Sequence, residues 1–221
     1  MPKSINTKSK WIISCISFVL FLLLILLIKV VDVNGVGPAG TAIGLSALNK
    51  GFHDAVGVHK FLYYITQLLG YAALLVVGLF AVAGVVQWIR RKSLLKVDKE
   101  VLCLGGLYVI MMALYVFFEK VIVNFRPILE EGQTLPEASF PSSHTMLACV
   151  VFGSMLLILD KYLTDPKMLR VVKLVLWVII ILSVLGRLFC GVHWLTDILG
   201  AVWISITLIF AFSAMLDIVR K

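Results

Sequence analysis

Apolar residues in this chain come in six long runs, each nearly free of charge, at about 11–31, 61–88, 101–122, 144–160, 170–187 and 195–216. An apolar stretch of ~20 residues crosses the hydrocarbon core as a helix. The pattern therefore predicts an all-α fold, a polytopic bundle of six transmembrane helices within a single membrane domain over 1–221. The first run, Trp11 to Val31, follows Lys3, Lys8 and Lys10 as a signal peptide would. It is too long for a signal-peptide core, and no small-x-small cleavage site follows at the usual distance, so an uncleaved first helix is expected.

Composition agrees with the pattern: the 221 residues are 61% hydrophobic and 14% charged. A net charge of +8 would suit a nucleic-acid binder, but the basic residues sit between apolar spans and form no patch on a soluble fold. No nucleic-acid partner is expected. Fourteen of the twenty lysines and arginines fall in the N-terminal tail, the 90–99 loop, the 161–173 loop and the terminal Arg220-Lys221. The positive-inside rule assigns these to the cytoplasm, with both termini. The loops at 32–60, 119–143 and 188–194 then open on the outer face. Cys15, Cys103, Cys149 and Cys190 lie in or beside apolar segments without metal-ligand spacing, so neither disulfide nor zinc is inferred.

The polar candidates collect on that outer face. Residues 32–60, glycine-rich and then mixed apolar and polar, read as an interfacial segment. His53 and His59, six apart, share no helical face and belong to its surface. Lys120 and Arg126 are cations at the membrane edge, followed by an acidic loop with Glu130, Glu131 and Glu137. Pro141-Ser142-Ser143-His144 opens the fourth span, with either serine a candidate N-cap, and a helix N-terminus with free N–H groups is an anion site. Gly186-Arg187 through His193 to Asp197 places a guanidinium, an imidazole and a carboxylate within twelve residues. Four apart on a helix, His193 and Asp197 would share a face, the carboxylate holding one ring nitrogen while the other points at a substrate. Taken alone, each group also reads as an ordinary membrane-edge charge or a capped helix start.

If spans three to six form one bundle, Lys120, Arg126, Ser142, Ser143, His144, Arg187, His193 and Asp197 converge at its outer rim. Three cations, a helix N-terminus and two histidines describe a phosphate pocket, and paired carboxylates for a hard metal are lacking. No metal or other cofactor is expected.

These segments resemble the three ordered motifs of the type-2 phosphatidic acid phosphatase superfamily, integral-membrane branch. The family's first motif is a lysine, six residues and Arg-Pro; its second is Pro-Ser-Gly-His; its third is Ser-Arg, five residues, His, three residues, Asp. Here the third is intact from Arg187 through His193 to Asp197, with Gly186 in place of serine, and the second carries Ser143 in place of glycine. In the first, Lys120 is one residue too close to Arg126-Pro127, and Glu119 falls on the lysine position. One residue turns a helical side chain by about 100°.

The resemblance implies a two-step hydrolysis. His193 would attack phosphorus, Asp197 would hold its other nitrogen, and His144 would protonate the departing lipid oxygen and then activate water. Arg126, Arg187, Lys120, the Ser142 hydroxyl and the Ser143 N–H would bind phosphoryl oxygens. The partners implied are the bilayer and a lipid phosphate: phosphatidic acid, phosphatidylglycerol phosphate or undecaprenyl diphosphate, met on the extracytoplasmic face of a cell membrane. Transfer of the phosphoryl group to another acceptor, or a non-catalytic lipid-binding relative, are the competing readings.

Overall fold

The structure, a computed structural model, describes residues 5–129 and 132–220. Lys3, Glu130, Glu131 and Lys221 lie outside the described residues. Seven α-helices follow in order: α1 Thr7–Val30, α2 Ser46–Val56, α3 Lys60–Arg91, α4 Lys99–Lys120, α5 Ser143–Ile158, α6 Pro166–Phe189 and α7 Leu195–Val219. All but α2 are long and apolar enough to cross a membrane, α5 being extended by a 3-10 turn to Lys161. The fold is all-α with six membrane-length helices, as the apolar runs require.

Local chemistry marks the helix ends. The Asn6 side chain accepts from the Ser9 N–H at 2.7 Å to cap α1, and Asp165 accepts from the Lys167 N–H at 2.9 Å where Pro166 begins α6. Lys92, at φ 54°, turns the chain out of α3.

Helix α5 packs against α3, α4, α6 and α7, while α1 lies along α7. The latter contact is fixed near one end by a Lys10–Asp217 ion pair at 2.7 Å and further along by Ser14 Oγ donating to the Thr207 carbonyl at 2.9 Å. Near the other end Phe21, Phe118 and Phe140 form an aromatic cluster with centroids 5.7–5.9 Å apart. Gly200 admits the Phe140 ring against α7, where a Cβ would collide with it. By contrast α3 buries only Thr66, Gly70 and Ala73, a single stripe. Its Phe61, Leu75 and Leu79 are exposed, as side chains facing lipid tails are.

The segment between α1 and α3 is not a bare loop. Asn34 and Ile43 form an isolated antiparallel bridge, and α2 follows, its first turn held by Asp32 accepting from the Ala47 N–H at 2.7 Å. The amphipathic α2 exposes Leu48 and fully buries Asn49, whose amide donates to the Gly44 carbonyl (2.8 Å) and the Thr196 hydroxyl (3.0 Å). The Asn49 oxygen accepts from the Thr196 N–H at 3.2 Å, so this segment is tied to the start of α7.

Candidate active site

Three connections meet at the end of the bundle where α4 and α6 finish and α5 and α7 begin. The connection after α4 folds back on itself: Phe125 and Ala138 form an antiparallel bridge, and the Arg126 N–H donates to the Glu137 carbonyl at 3.0 Å. The Phe125 carbonyl accepts from the Ser139 hydroxyl at 3.0 Å and from the Trp194 indole N–H at 2.7 Å. That pair of bonds locks the strand-like Arg126 segment to the connection between α6 and α7. The Arg126 side chain is mostly buried, its Nε 3.4 Å from a Glu137 carboxylate oxygen.

The second connection delivers Pro141-Ser142-Ser143-His144. Ser142 is the N-cap of α5 and fully buried, yet its hydroxyl donates to Thr145 Oγ1 at 3.1 Å and caps no backbone N–H. Its own N–H donates to the Asp197 carbonyl at 3.1 Å, which joins the starts of α5 and α7. The His144 ring rests against Gly70 of α3, where a Cβ would lie 2.9 Å from the imidazole Cδ2.

In the third connection, α6 ends at Phe189, and Gly191 turns the chain at φ 76° so closely under Gly57 that a Cβ would strike the Gly57 carbonyl. The chain before α3 grips it there: the His59 N–H donates to the Cys190 carbonyl at 3.0 Å, and His53 Nε2 lies 3.1 Å from the Gly191 carbonyl. The two histidines read from sequence as surface residues thus brace this turn. His193 follows in the turn, outside any helix, while Asp197 sits in the first turn of α7. They meet without sharing a helical face, because Asp197 accepts from the Trp194 N–H at 2.9 Å and draws the turn over the helix start. His193 Nδ1 is 3.5 Å from the same Asp197 oxygen.

Burial pushes the His193 imidazole well below the ordinary histidine range, and the Arg126 and Arg187 charges push the same way. Arg187, in the last turn of α6, is the largest fully buried side chain. It donates from Nη2 to Gln67 Oε1, and its guanidinium carbon lies 5.1 Å from the centroid of the Tyr63 ring. The Thr66 methyl fills the space beside Gly186, 2.5 Å from where a Cβ would be.

His193, Arg126, Ser143, Ser139 and Glu119 line one narrow cavity. Beside it Ser143 and His144 face a second space of ≈ 290 Å³, an apolar groove with Leu74, Met111, Met112 and Tyr115 from α3 and α4. His193 Nδ1 and Nε2, His144 Nδ1 and Asp197 Oδ1 are buried here without hydrogen-bond partners among the described residues. Buried polar atoms are rarely left so, and several together mark a place where a polar ligand belongs. Among those residues no three His, Cys, Asp or Glu side chains assemble as metal ligands.

Of the eight expected site residues, Arg126, Ser143, His144 and His193 line these two spaces. Asp197 and Ser142 lie behind them, against the His193 ring and at the joined starts of α5 and α7, and Arg187 is buried against Tyr63 and Gln67. Lys120 ends α4 exposed and does not line the cavity, whereas Glu119 does. Both residues are exposed at the end of α4, and the one-residue shift puts Glu119, not Lys120, at the cavity wall. Sequence reasoning missed Tyr63, Gln67 and Gly70 of α3, as well as Ser139. A glutamine inside an otherwise apolar span was the available signal, since an amide at that depth requires a partner.

The fold is that of a protein with six membrane-length helices whose buried polar atoms without partners among the described residues gather at one end of the bundle. The sequence profile of the PAP2 superfamily matches residues 100–220, and the chain belongs to that family. Phosphatidylglycerophosphatase B of Bacillus subtilis (strain 168) is 33% identical over 95 residues, which are 42% of this chain and 45% of that protein. The chain thus aligns in sequence with under half the length of that curated relative. The crystal structure of a transmembrane PAP2 type phosphatidylglycerolphosphate phosphatase from Bacillus subtilis superposes with a TM-score of 0.65. That match covers 93% of this chain and 96% of the other at 19% identity, a likeness of fold.

Proposed function

We propose that this protein is an integral-membrane lipid phosphate phosphatase that works without a metal ion through a phosphohistidine. The observation that carries the reading is His193: a buried imidazole, neutral by virtue of its surroundings, with a carboxylate oxygen 3.5 Å from Nδ1 and a wall shared with Arg126. With Nδ1 turned to Asp197, Nε2 is the nucleophile. It attacks phosphorus in line, and the bond to the lipid oxygen breaks as His144 supplies that oxygen with a proton. Asp197 balances the positive charge on the phosphorylated ring. His144 then removes a proton from water, whose oxygen attacks phosphorus and releases inorganic phosphate and free His193.

Arg126 and Arg187 stabilise the phosphoryl oxygens as charge moves onto them, joined by the Ser143 N–H at the start of α5 and the Ser142 hydroxyl. Lys120 would reach them only if the last turn of α4 unwound. The apolar groove beside His144 suits a hydrocarbon chain whose phosphate lies at headgroup depth. Phosphatidylglycerol phosphate is the favoured substrate, in keeping with the names of both Bacillus subtilis relatives, ahead of phosphatidic acid and undecaprenyl diphosphate. With the basic loops cytoplasmic, the site faces the extracytoplasmic side of the cell membrane.

The test is phosphate release by the purified, detergent-solubilised protein from a panel of lipid phosphates with chelator present. Release by the wild type, abolished in His193→Ala, is expected. Release that persists in His193→Ala, or that chelator abolishes, overturns the mechanism.

A further inference from the structure

Helix α3 carries none of the family's three motifs, yet it forms a wall of the site. Tyr63, Thr66, Gln67 and Gly70 recur at i, i+3, i+4 and i+7, which places them on one face. Each meets a site element: Tyr63 lies under the Arg187 guanidinium, the Thr66 methyl fills the space beside Gly186, Gln67 accepts from Arg187 Nη2, and Gly70 admits the His144 ring. The Thr66 hydroxyl is turned back to the Leu62 and Tyr63 carbonyls of its own helix, at 3.0 and 2.9 Å, so Gln67 presents the stripe's amide acceptor to the site. Gln67 lies about 10 Å along the axis from the start of α3, a depth at which an amide has to find a hydrogen-bond partner.

We infer that Gln67 is a positioning residue that aims the Arg187 fork at the phosphoryl group. The inference rests on the phosphatase reading above. An arginine at the end of α6 has several rotatable bonds, and a bidentate grip on phosphate needs its plane held in one orientation. Tyr63 sets that plane by lying against it, and Gln67 sets rotation within the plane by engaging one terminal nitrogen. An amide oxygen does this without adding a negative charge beside the guanidinium, which a carboxylate at the same position would do. Arg126 is held differently, against the Glu137 carboxylate.

The experiment compares Gln67→Glu and Gln67→Leu with the wild type and His193→Ala, measuring kcat, KM, the inhibition constant for inorganic phosphate, and thermal stability in detergent. Gln67→Leu removes the acceptor without adding charge, and Gln67→Glu keeps an acceptor oxygen in place. If Gln67 serves only to hold helices together, Gln67→Leu loses thermal stability while its folded fraction keeps the wild-type KM and phosphate inhibition. A positioning role instead predicts roughly tenfold or greater loss of kcat/KM and weaker inhibition by phosphate in folded Gln67→Leu. Where Gln67→Leu is unstable, Gln67→Met, closer in shape and equally without the acceptor, takes its place. Wild-type KM and phosphate inhibition in the folded variant that lacks the acceptor overturn the inference.

If the wild type hydrolyses no lipid phosphate, the functional reading fails on its own. Titration of the folded wild type and Gln67→Leu with inorganic phosphate still decides the role of Gln67. Equal binding by the two proteins refutes it, and weaker binding by the variant supports it.

Discussion

The two ends of the bundle handle charge in opposite ways. At the end with the chain termini, cations and carboxylates meet in a partly exposed network: Arg91–Asp98 at 2.8 Å, Lys161–Glu100 at 2.9 Å and Arg220–Glu100 at 3.6 Å. There the Arg91 hydrogen bond holds the Asp98 carboxyl below its usual range. At the other end Arg187, His193 and Asp197 are withdrawn from solvent, and both nitrogens of the His193 imidazole lack a hydrogen-bond partner among the described residues. A network whose members satisfy one another needs no ligand. Buried groups with unused hydrogen-bonding capacity carry a desolvation cost that a bound anion can offset, and this difference distinguishes a structural rim from a binding one.

The sharpest way to break the contrast is at the buried rim. Asp197→Asn retains the shape but leaves His193 without its charge partner, so kcat should fall by roughly 10⁴-fold, as a triad carboxylate change does elsewhere. A loss below tenfold in steady-state phosphate release would mean that the 3.5 Å approach of Asp197 to His193 serves packing instead.

A pH series comes next in size. An ordinary imidazole with a pKa near 6.5 would be about 90% protonated at pH 5.5, costing a nucleophile roughly tenfold. Because burial and two arginines depress His193, the acid limb of kcat/KM should lie below pH 6.5. The unfolded chain takes up that proton near pH 6.5 while the folded chain does not, so the contribution of His193 to stability is lost as pH falls through this value, and the difference in thermal unfolding between wild type and His193→Ala isolates it.

A smaller effect is expected where α3 meets α6. Gly186→Ser restores the family's residue but drives its side chain into the Thr66 methyl, and overpacking of this kind costs about 1–3 kcal/mol. Adding Thr66→Ser, which removes that methyl, should recover most of the lost thermal stability. No recovery would show that the contact is not the cause.

Least of all should change at the paired rim. Lys161→Gln, which removes the ion pairs of a partly exposed ammonium with Glu100 and Asp98, should cost no more than about 1 kcal/mol, an effect that diminishes with added salt, and leave phosphate release unaltered.

Much of this molecule was legible in one dimension. The six spans follow from apolar runs long enough to cross a bilayer, and the third motif holds Arg187, His193 and Asp197 in a short segment whose ends cannot separate far. The contribution of α3 was not legible. Tyr63 and Gln67 lie over a hundred residues before Arg187, and their spacing says only that they share a face, without saying what that face meets. Residues 32–60 were not legible as the support beneath the His193 turn, because Asn49 and His53 carry no pattern that names Thr196 or Gly191 as partners.

Sequence alone determined the membrane class, the number of spans and the residue types at the site, since hydrophobic length and motif spacing are properties of the chain itself. Tertiary structure decided which side chains face one another. It put Glu119, not Lys120, at the cavity wall, brought Gln67 to Arg187, and buried His193 deeply enough to disfavour its charged form. Those outcomes depend on helix rotation and close approach, which arise only when the helices pack.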